Sequence, residues 1–528
     1  MGNIADAKVD PEQRRAPLFE ALLAYARSRK VSFHTPGHKH GRGMYGPMRR
    51  FLGSRVFAID LTLLEEVDSL HNPKSVIRDA HRLAARAFGA DESYFLVNGT
   101  SVGNQAMFWS TLREGDKVIM PRNAHRSAFA GLILTGAQPV YITPPILDEW
   151  GIYGNVEVGQ VMDALKANPG AQSVLVMNPT YYGQASDLPR IVAMAHRAGA
   201  VSLVDEAHGP HFAFHEALPS SAMSCGADLA AQSTHKILGA MTQASMLHMK
   251  AGRIDKSRLR MALQMLQTTS PSYILMASLD VARLQMAVSG RKLMNRVIEM
   301  ARETAAAINK VPGVKCFGPE HCGGPGAYQF DQTRLLVHFD WAVTGFEVAH
   351  RLRVEFKLQA ELADVQNVLF LIGQGNTWGQ MKRLSTAIRK LEKAYRGLHT
   401  NRLALPLPSL QNTKNVLTPR EALFGRTRRV PLSEAAGEVS AELLCPYPPG
   451  IPLLAPGEFI NKEVVDYLAS LVRSGGRLNG QADASGRFVR IVEAPLSSIS
   501  RGVDFDKMLA FVLNENAPGT EPGKRGGS

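Results

Sequence analysis

An α/β fold built around a mostly parallel sheet is the architecture this sequence predicts, and three observations predict it. Between about residues 75 and 300, short apolar runs of strand length alternate with segments of helical period. Several of the runs break off in small polar motifs, as strands do when they open into a ligand-bearing loop. Glycine is abundant, at 46 of 528 residues, as tight turns between strands and helices require. A hydrophobic fraction of 45% is enough for a large core shared among about three domains.

The chain begins with a polar lead and an amphipathic helix over about Pro17 to Ser28, with Leu18, Leu22, Leu23 and Tyr25 in helical spacing. A histidine-rich Pro-Gly segment follows, with His34, His38 and His40. Its Pro and Gly residues keep the imidazoles off one helix face, so a loop at the substrate edge is expected there rather than a metal site. A helix over Ser75 to Phe88 leads to Gly89. The strand Tyr94 to Val97 ends in Asn98-Gly99-Thr100-Ser101. Lys117 to Met120 ends at Pro121, followed by Asn123, His125 and Ser127. Ser173 to Met177 runs into Asn178-Pro179-Thr180-Tyr181-Tyr182-Gly183, and Val201 to Val204 into Asp205-Glu206-Ala207-His208-Gly209. In a parallel sheet the four motifs stand at one edge and form one shared site.

Residues 1–45 are expected to be an N-terminal arm and 46–304 the large domain. A smaller α/β domain is expected over 305–400, with strands at Arg334 to Phe339 and Leu369 to Ile372. A linker is expected over 401–445, a C-terminal module over 446–515 and a disordered tail over 516–528. The module is expected to pack against a partner's active-site mouth.

The formal charge of +13 comes from scattered basic residues with no interleaved aromatics. It is read as the basic surface of an enzyme, not as a nucleic-acid footprint. No apolar run approaches a membrane span, and no signal peptide is visible. The four cysteines, Cys225, Cys316, Cys322 and Cys445, have no paired metal spacing, so a reduced, cytoplasmic protein with no metal is expected.

The chemistry centres on Ser233-Thr234-His235-Lys236, downstream of the strand that ends in Asp205. A lysine flanked by hydroxyls and a histidine suits a Schiff base with an aldehyde cofactor. Ser233 and His235 suit its phosphate, and Asp205 suits a protonated pyridine nitrogen that keeps the ring an electron sink. The reading is pyridoxal 5′-phosphate (PLP) anchored on Lys236. Thr100 and Ser101 suit a phosphate at a helix N-terminus, though the same residues make an ordinary N-cap. His125 has the flat ring to stack on the cofactor, and His208 is placed in the same pocket. Glu361 and Asp364 are candidates for reading a cationic substrate side chain.

Taken together, and in order over about residues 15 to 490, these motifs resemble the Orn/Lys/Arg decarboxylase family of fold-type-I PLP enzymes, in its shorter form without an N-terminal wing domain. The segments at Thr268 to Tyr273 and Tyr447 to Glu458 add to the resemblance. It implies that Lys236 is the Schiff-base lysine, Asp205 the pyridine partner and His125 the stacking ring. It implies that Thr100, Ser101, Ser233 and His235 hold the phosphate, and that His208 lies by the reacting carbon. It also implies a homodimer or higher homo-oligomer whose active site lies at the interface, with Thr268 and Thr269 reaching the neighbouring phosphate. The implied reaction is decarboxylation of a basic amino acid in polyamine biosynthesis: arginine to agmatine, lysine to cadaverine or ornithine to putrescine, with arginine favoured. His208 and the released Lys236 are both candidates to protonate the α-carbon. An aminotransferase or lyase of the same fold type is the alternative enzyme reading, and a cofactor-free scaffold or nucleic-acid binder the non-enzymatic one.

Overall fold

The computed structural model describes residues 10–396, 407–408, 414–447, 451–474, 476–480, 483 and 485–501. The tail expected at 516–528 lies outside the described residues.

The large domain carries a seven-stranded sheet. Its strands are β1 (Glu92–Leu96), β2 (Lys117–Pro121), β3 (Gln138–Ile142), β4 (Ser173–Met177), β5 (Val201–Asp205), β6 (Leu229–Gln232) and β7 (Ser245–Met249). They lie in the order β1-β7-β6-β5-β4-β2-β3. The pairs β2 with β3, β2 with β4, β4 with β5, and β5 with β6 are parallel. Only β7 is opposed, antiparallel to both β1 and β6, so β1 again runs with the rest. The ends of β1, β2, β4 and β5 therefore share one edge, as the motif pattern requires. Residues of β4 are buried throughout, because helices cover both faces and no side of the strand meets water.

Helix α1 (Pro17–Arg27) buries Leu18 and Leu22 and packs on α2 (Val76–Phe88), so the N-terminal arm is tied into the main core. Helix α3 (Gly99–Thr111) lies close on the sheet because Gly103 has no side chain. A Cβ there would stand 3.0 Å from that of Ala231 on β6. Helix α4 (Arg126–Thr135) packs beside α3.

The long helix α5 (Tyr273–Ile308) runs unbroken across the boundary expected at 304/305. Its apolar stripe continues through Val297, Met300, Ala301 and Ile308, so the division falls only after its last turn. The small domain is a four-stranded antiparallel sheet of β8 (Val314–Cys316), β9 (Arg334–Phe339), β10 (Leu362–Ala363) and β11 (Asn367–Leu371), in the order β8-β9-β11-β10. Helices Gly345–Phe356 and Trp378–Tyr395 belong to this region.

The linker expected over 401–445 is folded across most of its described part. Strand β12 (Arg426–Pro431) pairs antiparallel with β13 (Phe488–Ala494), and a capping box holds the start of helix Pro419–Phe424. The C-terminal module thus begins well before residue 446. The Pro-rich run that suggested a linker is local, whereas the strand partner lies some sixty residues on. The module's core of Val430, Leu444, Leu454, Val464, Leu468 and Ile491 also takes in Tyr153 of the large domain. The module therefore packs on its own chain.

Candidate active site

The loops at the shared strand edge bring three clusters together. At the end of β1 the chain turns through Gly99, whose φ of +73° suits glycine, into α3. Thr100 Oγ1 lies 2.5 Å from Ser233 Oγ and donates to Ser245 Oγ at 3.1 Å. Three hydroxyls and the first turn of a 13-residue helix make a cup suited to a phosphate. Ser101 is exposed on the same turn. His235 is tied by Nδ1 to the Ala244 carbonyl at 2.9 Å. A carbonyl only accepts, so Nδ1 carries the proton and Nε2 holds a lone pair.

The second cluster surrounds Asp205. Its carboxylate is buried and accepts from Asn104 Nδ2 at 2.7 Å and the Ala207 amide at 3.1 Å. Asn104 Nδ2 also donates to Ser127 Oγ at 2.8 Å, so the Ser127 hydroxyl turns its own proton to His125 Nδ1, 2.7 Å away. The Ser127 amide faces the same nitrogen at 3.3 Å. His125 is thereby a neutral ring with its proton on Nε2. Burial pushes its pKa down, with the Asp205 charge opposing. Among the described residues no cationic side chain hydrogen-bonds Asp205. A buried carboxylate without a counter-charge is costly, and a pyridinium N–H relieves that cost.

The third cluster is built on Lys236, on a short helical turn (Thr234–Ile237) after β6. Lys236 Nζ lies 2.8 Å from His208 Nε2 and 5.3 Å from the centroid of the Tyr181 ring. The Tyr181 and His208 rings are 4.4 Å apart. Arg334, at the start of β9, donates through Nη2 to the His208 carbonyl at 2.9 Å and faces His208 Nδ1 at 3.2 Å. Its Nε donates to Asp331 Oδ2 at 3.0 Å, and both members of that pair are fully buried. Arg334 Nη1 has no partner within the described chain, which leaves a buried cationic donor for an anionic group. Burial pulls the Lys236 amine down to about 8, against the charges of Asp205 and Glu361 and with that of Arg334. Burial likewise holds His208 well below the usual range, reinforced by the charges of Lys236 and Arg334.

These groups fit PLP: a hydroxyl cup, an unpaired buried carboxylate, a flat ring beside it and an amine poised near neutral. Only the deprotonated amine attacks an aldehyde. Capture of added PLP by the apoprotein should therefore accelerate as pH rises and level off above about 8. Absorbance-detected mixing across pH measures this, and a rate flat between pH 6 and 9 would contradict it.

Asp364, expected to read a cationic substrate, is occupied elsewhere. It accepts from Tyr182 Oη at 2.8 Å, from Asn367 Nδ2 at 2.9 Å, and from the amides of Gln366 and Asn367 at 2.8 and 2.7 Å. It is the acceptor that closes its own turn, and burial pushes its carboxyl up. Glu361 is exposed and near enough to Lys236 to act on its charge. Thr268 and Thr269 are exposed, and the Thr268 carbonyl lies 2.9 Å from His71 Nε2. In the histidine-rich segment His34 bonds Tyr25 Oη at 2.9 Å and His38 bonds Asp60 at 3.1 Å. Among the described residues no three potential ligands are grouped to hold a metal.

Sequence reading missed Asn104, Ser245, Asp331 and Arg334. Asn104 left a signal: a polar amide at a helix position among the apolar Val102, Ala106, Met107 and Phe108. Arg334 opens an apolar strand and left no signal beyond that place.

Residues 16–342 match the model of the Orn/Lys/Arg decarboxylase major domain, and residues 408–485 that of the Orn/Lys/Arg decarboxylase C-terminal domain. An arginine decarboxylase of Bacillus subtilis is 39% identical over 487 residues, 91% of this chain and 98% of that protein. A lysine decarboxylase of Pseudomonas aeruginosa is 27% identical, over 86% of this chain and 75% of that one. Among solved structures, the lysine decarboxylase of Francisella novicida superposes with a TM-score of 0.79 at 23% identity, covering 91% of this chain and 82% of its own. That likeness is one of fold.

Proposed function

The chain belongs to the Orn/Lys/Arg decarboxylase family, and from that premise we propose that it removes the α-carboxylate of L-arginine, releasing carbon dioxide and agmatine. It is a PLP-dependent carboxy-lyase of basic amino acids. The observation that carries the reading is the Lys236 amine, drawn down to about 8 and set 2.8 Å from His208 at the strand edge that also holds Asp205. The choice of arginine rests on the 39% identity with an arginine decarboxylase across nearly the whole chain.

When bound, the cofactor supplies an electron-accepting ring that takes up the pair left by the departing carboxylate. Lys236 would hold it through its amine. Asp205, oriented by Asn104, would pair with its ring nitrogen, and His125, held neutral, would add no charge beside it. Thr100, Ser233, Ser245 and the first turn of α3 hold the phosphate, and fixing that end orients the scissile bond. Glu361 faces the substrate's cationic end and supplies locally the negative charge that the net +13 does not.

We read the assembly as a homodimer or higher homo-oligomer with the site at its interface. Phe33 and Phe51 are 92% and 90% exposed, and Tyr45, Met261 and Met265 are also largely uncovered, more apolar surface than a monomer gains by showing. Thr268 and Thr269 are exposed beside Met265 and suit the phosphate of a neighbouring copy. Among the described residues no helix is long and apolar enough to cross a membrane, and we place the enzyme in the cytoplasm.

The test is incubation of the PLP-loaded protein with arginine, lysine or ornithine, with amine and carbon dioxide measured. Agmatine is expected as the preferred product. Amine from lysine or ornithine alone would overturn the substrate, and keto acid without gas would overturn the reaction. Glu361→Gln is expected to raise the KM for arginine about ten-fold, the loss of about 1.4 kcal/mol of charge pairing, with little change in kcat. An unchanged KM would remove Glu361 from substrate recognition.

A further inference from the structure

We propose that Arg334 is a positioning residue that fixes the proton of His208 on Nε2 and thereby holds Lys236 as the neutral, nucleophilic amine. The proposal deepens the reading of Lys236 as the cofactor lysine and rests on it.

A guanidinium has only donors. Arg334 Nη2 faces both the His208 carbonyl oxygen, at 2.9 Å, and His208 Nδ1, at 3.2 Å. A donor aimed at Nδ1 requires a lone pair there, so the proton of the neutral imidazole sits on Nε2. That nitrogen is 2.8 Å from Lys236 Nζ. An Nε2–H must donate, so Nζ must accept, and only an uncharged amine has the lone pair to do so. The opposite arrangement would have a lysine ammonium donating to Nε2. It would turn an Nδ1–H toward Arg334, setting donor against donor and adding a second cation in a buried site.

Arg334 is itself held. Its Nε donates to Asp331 Oδ2 at 3.0 Å, and Asp331 Oδ1 accepts from Thr333 Oγ1 at 2.7 Å, from the Thr333 amide at 3.0 Å and lies 3.0 Å from His211 Nε2. Asp331, Arg334 and His211 are all buried. The charged and titratable groups around His208 and Lys236 come from five other places: His125 after β2, Tyr181 after β4, Asp205 on β5, His211 on the same loop as His208, and Glu361 before β10. The group set against His208 Nδ1 is the Arg334 guanidinium. The small domain thus sets the protonation of a lysine that belongs to the large domain. Seating β9 against the His208 loop is what makes the amine ready.

The test needs no turnover. In full-length apoprotein carrying 15N-histidine, the His208 signals, assigned by their loss in His208→Asn, report which ring nitrogen bears the proton. The expected result is a neutral Nε2–H ring at pH 9, above the Lys236 midpoint of about 8. A neutral Nδ1–H ring in the wild-type protein at pH 9 would overturn the proposal, whether or not any variant folds. In a second arm, the pH midpoint for capture of added PLP is measured in wild type, Arg334→Met and Arg334→Lys, with folding checked by circular dichroism. Wild type is expected near about 8. Arg334→Met should move the midpoint up by about one pH unit, as loss of a neighbouring positive charge and release of the tautomer both favour the ammonium. Arg334→Lys, which keeps a donor and a charge, should restore most of it. A folded Arg334→Met with an unmoved midpoint would assign Arg334 a structural role only. Failure to decarboxylate arginine would leave both readouts standing, so the two readings fail separately.

Discussion

Lys236→Ala is expected to abolish amine formation, by more than about 10⁴-fold, and to leave a protein that is folded and more heat-resistant than wild type below pH 8. The lost activity follows from the removal of the amine at the strand edge that lies against His208. The gain in stability follows from the cost of keeping that amine there. Its folded pKa, about 8, lies below the ordinary value of 10.5, chiefly through burial. Between those values the unfolded chain binds the proton and the folded chain does not, so wild-type stability rises as pH climbs from about 8 to 10.5. Below pH 8 the folded protein carries the whole penalty, up to about 3 kcal/mol for the full shift. Alanine carries none. Thermal unfolding of apo wild type and variant should therefore diverge below pH 8 and converge above 10.5. Equal melting temperatures at all pH values would show that the amine is not held against its solvation. Retained turnover would remove Lys236 from the centre of the site.

Arg122→Met should cost about 3–5 kcal/mol of stability, because it leaves a buried carboxylate without its partner. Arg122 and Glu458 have fully buried side chains and meet in a bidentate pair, Nε to Oε1 at 2.6 Å and Nη2 to Oε2 at 2.5 Å. The remaining Nη1 donates to the Pro452 carbonyl at 2.7 Å, and the guanidinium lies over the adjacent rings of Phe129 and Tyr141, 5.6 and 5.4 Å from their centroids. The pair joins the loop that carries His125 to the C-terminal module, whose Ile451 lines the same cavity as His125, Tyr153, Tyr181 and Tyr182. Breaking it should loosen that wall and raise the KM as well as lower the unfolding midpoint. The double variant Arg122→Met with Glu458→Leu removes both charges and should regain most of the stability in denaturant titration. A single variant as stable as wild type would mean that water reaches the pair. An unchanged KM in a destabilised variant would confine the module to a structural role.

The large sheet was legible because its evidence is local. A strand buried on both faces must be largely apolar, as Val174–Met177 is, and must end where the chain first needs polar groups. The strand-end motifs and the Ser-x-His-Lys segment could therefore be placed along one edge before any contact was known. The same local reading failed where partners are distant. The Pro-rich stretch near 405 suggested a linker over 401–445, yet Arg426–Pro431 finds its strand partner at Phe488–Ala494. The boundary placed at 304/305 cut a helix whose apolar stripe gives no reason to stop. Asp364 had the charge to read a cation, but its carboxylate closes its own turn and takes the Tyr182 hydroxyl.

By itself the sequence determined the fold class, the strand edge that bears the site, and the residue types for cofactor chemistry: a lysine, an aspartate, hydroxyls and imidazoles in strand-end loops. The tertiary structure decided how those groups are oriented. Asn104 on α3 aims Asp205 and, through Ser127, sets the proton of His125; Arg334, from another domain, faces His208 and through it Lys236. The physical reason is that apolar periodicity and turn chemistry are written over a few adjacent residues. A hydrogen bond that fixes a tautomer depends on distance and direction between atoms on different elements, 126 residues apart for Arg334 and His208, and only the packed chain supplies those.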